Sequence, residues 1–124
     1  RRDARRYEAG SFNILGIAGL NAALGLLLGV GGDNIAADLR AKREWLVSAL
    51  LEKDFVVLCP EPENAGGITS CWREGKDMKA LGDKLMAEGI VASVRCDRSG
   101  QDYLRFSPHF YNTQAELERV ADLL

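Results

Sequence analysis

The sequence has one histidine, three cysteines, three prolines and no excess of positive charge. Each scarcity excludes something. An odd number of cysteines, with no Cys-x-x-Cys pairing among Cys59, Cys71 and Cys96, argues against a disulfide framework. It favours a reducing compartment, so a cytoplasmic protein is expected. Lys and Arg number 16 against 18 Asp and Glu. Neither half of the chain is basic enough to neutralise phosphates, which sets nucleic acid aside as a partner. His109 is the only histidine and no serine lies in a Gly-x-Ser-x-Gly elbow, so a Ser-His-acid hydrolase has no footing. Gly29-Val30-Gly31-Gly32 is not followed by Lys-Ser or Lys-Thr and follows no strand, so it is a helix terminator and not a P-loop. Cys59, Cys71, Cys96 and His109 could number four zinc ligands but lack paired knuckles. Separate buried thiols and a structural histidine are expected, and no metal site. No segment is Pro-, Ser- or Gln-rich and no repeat is present. What is left is one folding domain over residues 1–124, 47% hydrophobic and large enough for one core.

One segment is unusual. From Ala9 to Gly32 there is no charged residue. Its apolar heart, Ile14 to Val30, is shorter than the ~20 residues a membrane span normally needs and is interrupted by Asn21, so no membrane association is expected. The alternative is a helix buried on nearly every side, with Gly16, Gly19 and Gly25 allowing close approach of another element. A domain this small can hardly surround such a helix. Residues 1–32 are therefore expected to contact a missing large domain or a second subunit.

The remainder reads as alternating elements. Asp33 or Asn34 caps a second helix running to about Lys53, with the stripe Ile35, Leu39, Leu46 and Leu50, while Arg40, Lys42, Glu44 and Glu52 lie off it. Phe55–Cys59 and Gly67–Arg73 read as strands, separated by Pro60, Pro62 and the Gly66-Gly67 break. Met78, Leu81 and Leu85 mark a third helix, ended by Gly89. Ile90–Arg95 and Tyr103–Phe106 read as strands joined through Asp97-Arg98-Ser99-Gly100. Thr113 with Glu116 is a capping box, opening a last helix with the stripe Leu117, Val120 and Leu124. Clustered strand pairs with flanking helices imply an α+β fold, a small mostly antiparallel sheet flanked by helices.

Two stretches are dense in polar and aromatic types: Arg6-Tyr7-Glu8-Ala9-Gly10-Ser11-Phe12-Asn13 and Arg105-Phe106-Ser107-Pro108-His109-Phe110-Tyr111-Asn112-Thr113. With Gly16-Ile17-Ala18-Gly19-Leu20 and Gly89-Ile90-Val91-Ala92-Ser93-Val94-Arg95, they closely resemble the C-terminal part of class V aminotransferase-fold enzymes of fold type I. That group, dependent on pyridoxal phosphate, includes cysteine desulfurases, selenocysteine lyases and isopenicillin N epimerase-like proteins. The resemblance implies that Arg105 binds the α-carboxylate of an amino-acid substrate, a role suited to a planar, bidentate guanidinium on a strand end. An ordinary Arg-acid pair, with Asp102 for instance, is the competing role. The family's Gly-Thr, which reaches the cofactor phosphate of the neighbouring subunit in a homodimer, here reads Gly10-Ser11. Serine keeps the hydroxyl and glycine the close backbone approach. His109, Tyr111 and Asn112 read as structural.

Two departures bound the functional expectation. The family's Schiff-base lysine lies in a Ser/Thr-x-His-Lys context, and none of Lys42, Lys53, Lys76, Lys79 or Lys84 follows a histidine. The chain is therefore expected to be the small C-terminal domain without the large cofactor-binding one, and inactive alone. Desulfurases also carry a nucleophilic cysteine on an extended loop well before the carboxylate-binding arginine, whereas Cys96 directly follows a strand and lies close to Arg105. The parent enzyme is expected to act on an amino acid by transamination, epimerisation or cysteine/selenocysteine lyase chemistry. The competing expectation is a non-catalytic α+β module that binds an amino acid or a protein partner through Arg105 and the first helix.

Overall fold

A computed structural model describes residues 2–7, 10–64 and 66–124. Internal contacts divide the chain into two units, Arg1–Asn34 and Ile35–Leu124. The first holds a short 3-10 turn, Ala4–Tyr7, and helix α1, Ile14–Val30. Asn13 caps α1 by accepting from the Gly16 backbone N–H at 2.9 Å, and Gly31 closes it with φ +89°, a conformation that favours glycine. Helix α1 buries none of its 17 residues, and Leu15 and Leu28 are 86% and 80% exposed. Among the described residues no single helix is long and apolar enough to cross a membrane.

Helix α2, Gly32–Leu51, starts earlier than expected. Asn34 does not cap it: its side-chain amide donates back to the Val30 carbonyl at 2.8 Å, satisfying one of the orphan acceptors at the end of α1. The second unit takes up α2 from Ile35 and adds β1 (Val56–Val57), β2 (Thr69–Trp72), α3 (Met78–Ala87), β3 (Ser93–Cys96), β4 (Asp102–Phe106) and α4 (Gln114–Leu123). The strands form one fully antiparallel sheet in the order β1-β2-β4-β3. The fold is thus α+β, as expected. The strands are shorter than the apolar runs suggest, because Phe55 and Ile90 leave the ladder and pack into the core or beside it.

Strand periodicity sorts the sheet into two faces. Val57, Cys71 and Leu104 stand side by side in register and join Leu46, Leu50, Met78, Leu85, Phe106 and Val120 in one core, so α2, α3 and α4 all cover this face. Gly82 lets α3 approach: a Cβ there would come within 2.7 Å of Val94 Cγ2. Burial pushes the Cys71 thiol up to about 12, so it is an inert core residue. Helix α4 begins with the anticipated capping box, Glu116 N–H donating to Thr113 Oγ1 and Thr113 N–H to the Glu116 carboxylate at 2.7 Å.

One cation of α2 departs from the sequence reading, and a second is buried beside it. Lys42, assigned to the polar face, is buried; its ammonium pairs with Asp38 at 2.5 Å and donates to the Phe110 and His109 carbonyls at 3.2 and 3.4 Å. Arg43, also buried, donates to the Cys59 carbonyl at 2.5 Å and the Pro60 carbonyl at 3.5 Å. These contacts tie α2 to the segments that leave β4 and β1, answering carbonyls that no strand partner satisfies.

Candidate functional site

Residues of β4 alternate between the two sheet faces, so Leu104 goes into the core and Tyr103 and Arg105 lie on the other face. Register places Ser70 of β2 opposite Arg105 on one side and Ser93 of β3 opposite it on the other. Two small hydroxyl side chains thus flank the guanidinium stem. The Arg105 Nε is shielded from water and has no hydrogen-bond partner among the described residues. The expected alternative, a pair with Asp102, does not form: Asp102 pairs with Lys79 at 3.1 Å. An unanswered guanidinium nitrogen at the centre of a sheet face is a donor set waiting for an acceptor, and a carboxylate matches it in charge and geometry.

Around it lies an open cleft of about 330 Å³, lined by Leu58, Ser70, Arg95, Cys96, Asp97, Tyr103 and Arg105. Leu58 is placed there by its backbone N–H, which bonds the Ser70 carbonyl at 2.9 Å, and by the Arg43 grip on the next residue. The far wall is the hairpin between β3 and β4. Asp97 Oδ1 accepts from Ser99 N–H, Ser99 Oγ–H and Gln101 N–H at 2.7–3.0 Å, and Oδ2 accepts from the Tyr103 hydroxyl at 3.1 Å. The Ser99 hydroxyl, followed by the Gln101 amide, holds the Asp97 carboxyl below its ordinary range. This carboxylate is held by its own turn and by Tyr103 of β4.

Cys96 ends β3 at the edge of the cleft. Burial first, then the Asp102 carboxylate, holds its thiol above the ordinary range, and its S–H donates to the Asp97 carbonyl at 3.5 Å. A nucleophilic thiolate needs the opposite setting, a depressed pKa among cations. The hairpin that follows is a tight turn with Gly100 at φ +90°, not an extended loop. No group of three or more metal-ligating side chains occurs among the described residues.

Gly10 and Ser11 lie in the first unit, Arg105 in the second. Gly10 has φ +144° and both residues are exposed, two and three positions before the α1 cap. In the first turn of α1 the Ile14 N–H donates to the Phe12 carbonyl at 2.8 Å and the Gly16 N–H to the Asn13 cap. An exposed hydroxyl next to a glycine suits a phosphate oxygen. His109, Tyr111 and Asn112 are structural: His109 and Tyr111 rings stack at 5.1 Å, and Asn112 accepts from the His109 N–H at 2.9 Å. A second cleft of about 380 Å³, between the α3–β3 connection and α4, includes Glu116 and Arg119. Both are committed, Glu116 to the Thr113 cap and Arg119 to the Glu88 carbonyl.

Sequence reasoning finds Arg105 but not its setting. Tyr103 was legible from the two-residue period of β4; Ser70, Ser93 and Arg95 required the strand pairing.

A profile of the aminotransferase class-V family matches residues 1–120. A probable cysteine desulfurase of Xylella fastidiosa is 29% identical over 96% of this chain and 30% of its own length. Among solved structures, the apo cysteine desulfurase of Thermococcus onnurineus superimposes with a TM-score of 0.89 at 20% identity, over 99% of this chain and 33% of that one. A NifS-like protein does so at 0.79 and 24% identity, over 92% and 33%. The chain thus spans about a third of the length of these relatives, and it belongs to the aminotransferase class-V family.

Proposed function

We propose that this chain is the C-terminal part of a pyridoxal phosphate-dependent enzyme acting on an amino acid, and that Arg105 clamps the substrate α-carboxylate. The observation that carries this reading is the Arg105 Nε, without a hydrogen-bond partner among the described residues, between Ser70 and Ser93 on the sheet face opposite the core. A bidentate pair with a carboxylate answers it and fixes the substrate's orientation, leaving the amino group and α-carbon to face the rest of the enzyme. Gly10 and Ser11 hold the cofactor phosphate through a close backbone approach and the serine hydroxyl. Pyridoxal phosphate, when bound, acts as an electron sink for charge developing at the amino acid's α-carbon. The lysine that carries it lies elsewhere in the parent, since no lysine here follows a histidine. The chain alone is therefore inactive.

Sulfur transfer through Cys96 is not part of this reading, because desolvation and then the Asp102 carboxylate hold that thiol above its ordinary range and its hairpin is short. Transamination, epimerisation and lyase chemistry on the bound amino acid all use the same clamp. The apolar face of α1 packs against the remainder of the parent or a second subunit, consistent with a homodimer. Three free cysteines suit a reducing, cytoplasmic setting.

The test is Arg105→Gln in the full-length parent. The KM for amino-acid substrate should rise by roughly 30-fold to several thousand-fold, the loss of about 2 to 5 kcal/mol expected for a charge-assisted pair, with cofactor content intact. An unchanged KM makes Arg105 structural.

A further inference from the structure

We infer that Arg95 reads a second anionic group, so that the cleft selects an amino acid with an acidic side chain. The inference rests on the Arg105 reading above and adds the substrate class. Register pairs Ser93 with Arg105 and Arg95 with Tyr103, which makes Arg95 and Arg105 diagonal neighbours on one face of adjacent strands. Such positions lie roughly 7–8 Å apart, within reach of long side chains. Both arginines line the same cleft. Among the described residues neither has an ion-pair partner.

The cleft offers neither arginine a direct partner. Asp97, the one acid lining it, keeps its charge but spends its hydrogen bonds on Ser99, Gln101 and Tyr103, and bonds neither guanidinium. The Cys96 thiol, held above its ordinary range, supplies no charge. Like charges on neighbouring sheet positions repel, so two unanswered guanidinium groups are costly unless an anion joins them. A substrate α-carboxylate answers only Arg105. The side chain of that same amino acid starts two bonds from the carboxyl carbon, so a side-chain carboxylate stays within reach of a long side chain at the diagonal position. It gives Arg95 a direct partner, while an apolar side chain leaves the exposed guanidinium to water.

The test uses the full-length, cofactor-loaded protein and the dissociation constants of aspartate, glutamate and alanine, read from the cofactor's absorbance, beside cofactor content. Wild type should bind aspartate or glutamate at least about tenfold more tightly than alanine, the effect of one charge-assisted hydrogen bond. Arg95→Gln should weaken the acidic amino acid about tenfold more than alanine, and Arg95→Lys should restore part of the preference, since it keeps the charge but not the fork. Arg105→Gln should weaken all three. The inference is overturned if wild type shows no acidic preference, if Arg95→Gln weakens the three equally, or if it acts by releasing cofactor. In those cases weakening by Arg105→Gln leaves the carboxylate clamp standing. If Arg105→Gln weakens none of them, the clamp falls as well.

Discussion

Leu104 and Arg105 are consecutive in β4, yet their environments are opposite. Leu104 is fully buried beneath α2, α3 and α4, while Arg105 lies on the opposite face with a nitrogen that no group among the described residues answers. One face is built to be stable by itself, and the other is built to receive something. On the covered face apolar side chains meet apolar side chains, and the cost of ordering them is offset by burial. On the uncovered face serines, arginines and a tyrosine hold their positions because the strand beneath is fixed from the other side. Rigidity for the site comes from the core, and its chemistry from residues that contribute little to stability.

The largest test of that division is Leu104→Ala, which leaves a cavity under the central strand. It should lower unfolding stability by about 2–5 kcal/mol in denaturant titration. Ser93→Ala, opposite Arg105 on the uncovered face, should change stability by less than about 0.5 kcal/mol. Comparable losses would mean that the two faces are not divided as described. Gly82→Ala sharpens the same contrast. Its Cβ would meet Val94 Cγ2 at 2.7 Å, so overpacking of about 1–3 kcal/mol should outweigh the roughly 1 kcal/mol that alanine gains over glycine in a helix. A net stabilisation would show that α3 is free to move away from β3.

These contrasts follow the line between what local sequence encodes and what it does not. The Thr113–Glu116 cap, the Gly89 terminator, the Asp97–Gly100 turn and the full extent of α1 are written within a few residues of where they act, and all were legible. The β2–β4 pairing joins segments more than thirty residues apart in sequence, and so Ser70 opposite Arg105 could not be seen in advance. Lys42 misled for the same reason: its partners are the carbonyls of residues 109 and 110, which helical periodicity cannot report. Asn34 resembles a helix cap by type, but the acceptor left open at Val30 claims its side chain.

The smallest effect is one of pH. The Thr113 backbone N–H, then Asn112, holds the Glu116 carboxyl below its usual value of 4.5 in the folded chain. A depressed folded pKa contributes stability that is present above the unfolded value and is lost as pH falls through the folded one. Wild type should therefore lose part of its stability as pH is lowered below about 4.5. Glu116→Gln should be less stable at neutral pH and show a shallower acid dependence. Parallel acid profiles for the two proteins would remove Glu116 from the account.

The central claim, that the uncovered face carries a carboxylate clamp, is tested most directly by pairing a change in the protein with a change in the ligand. Binding of an amino acid and of its carboxamide should be compared in the full-length protein with Arg105 and with Arg105→Gln. Arg105 should discriminate against the carboxamide by roughly 30-fold or more, corresponding to at least about 2 kcal/mol, and Arg105→Gln should bind the two ligands nearly alike. Discrimination that persists in Arg105→Gln would place the carboxylate on some other residue and contradict the account.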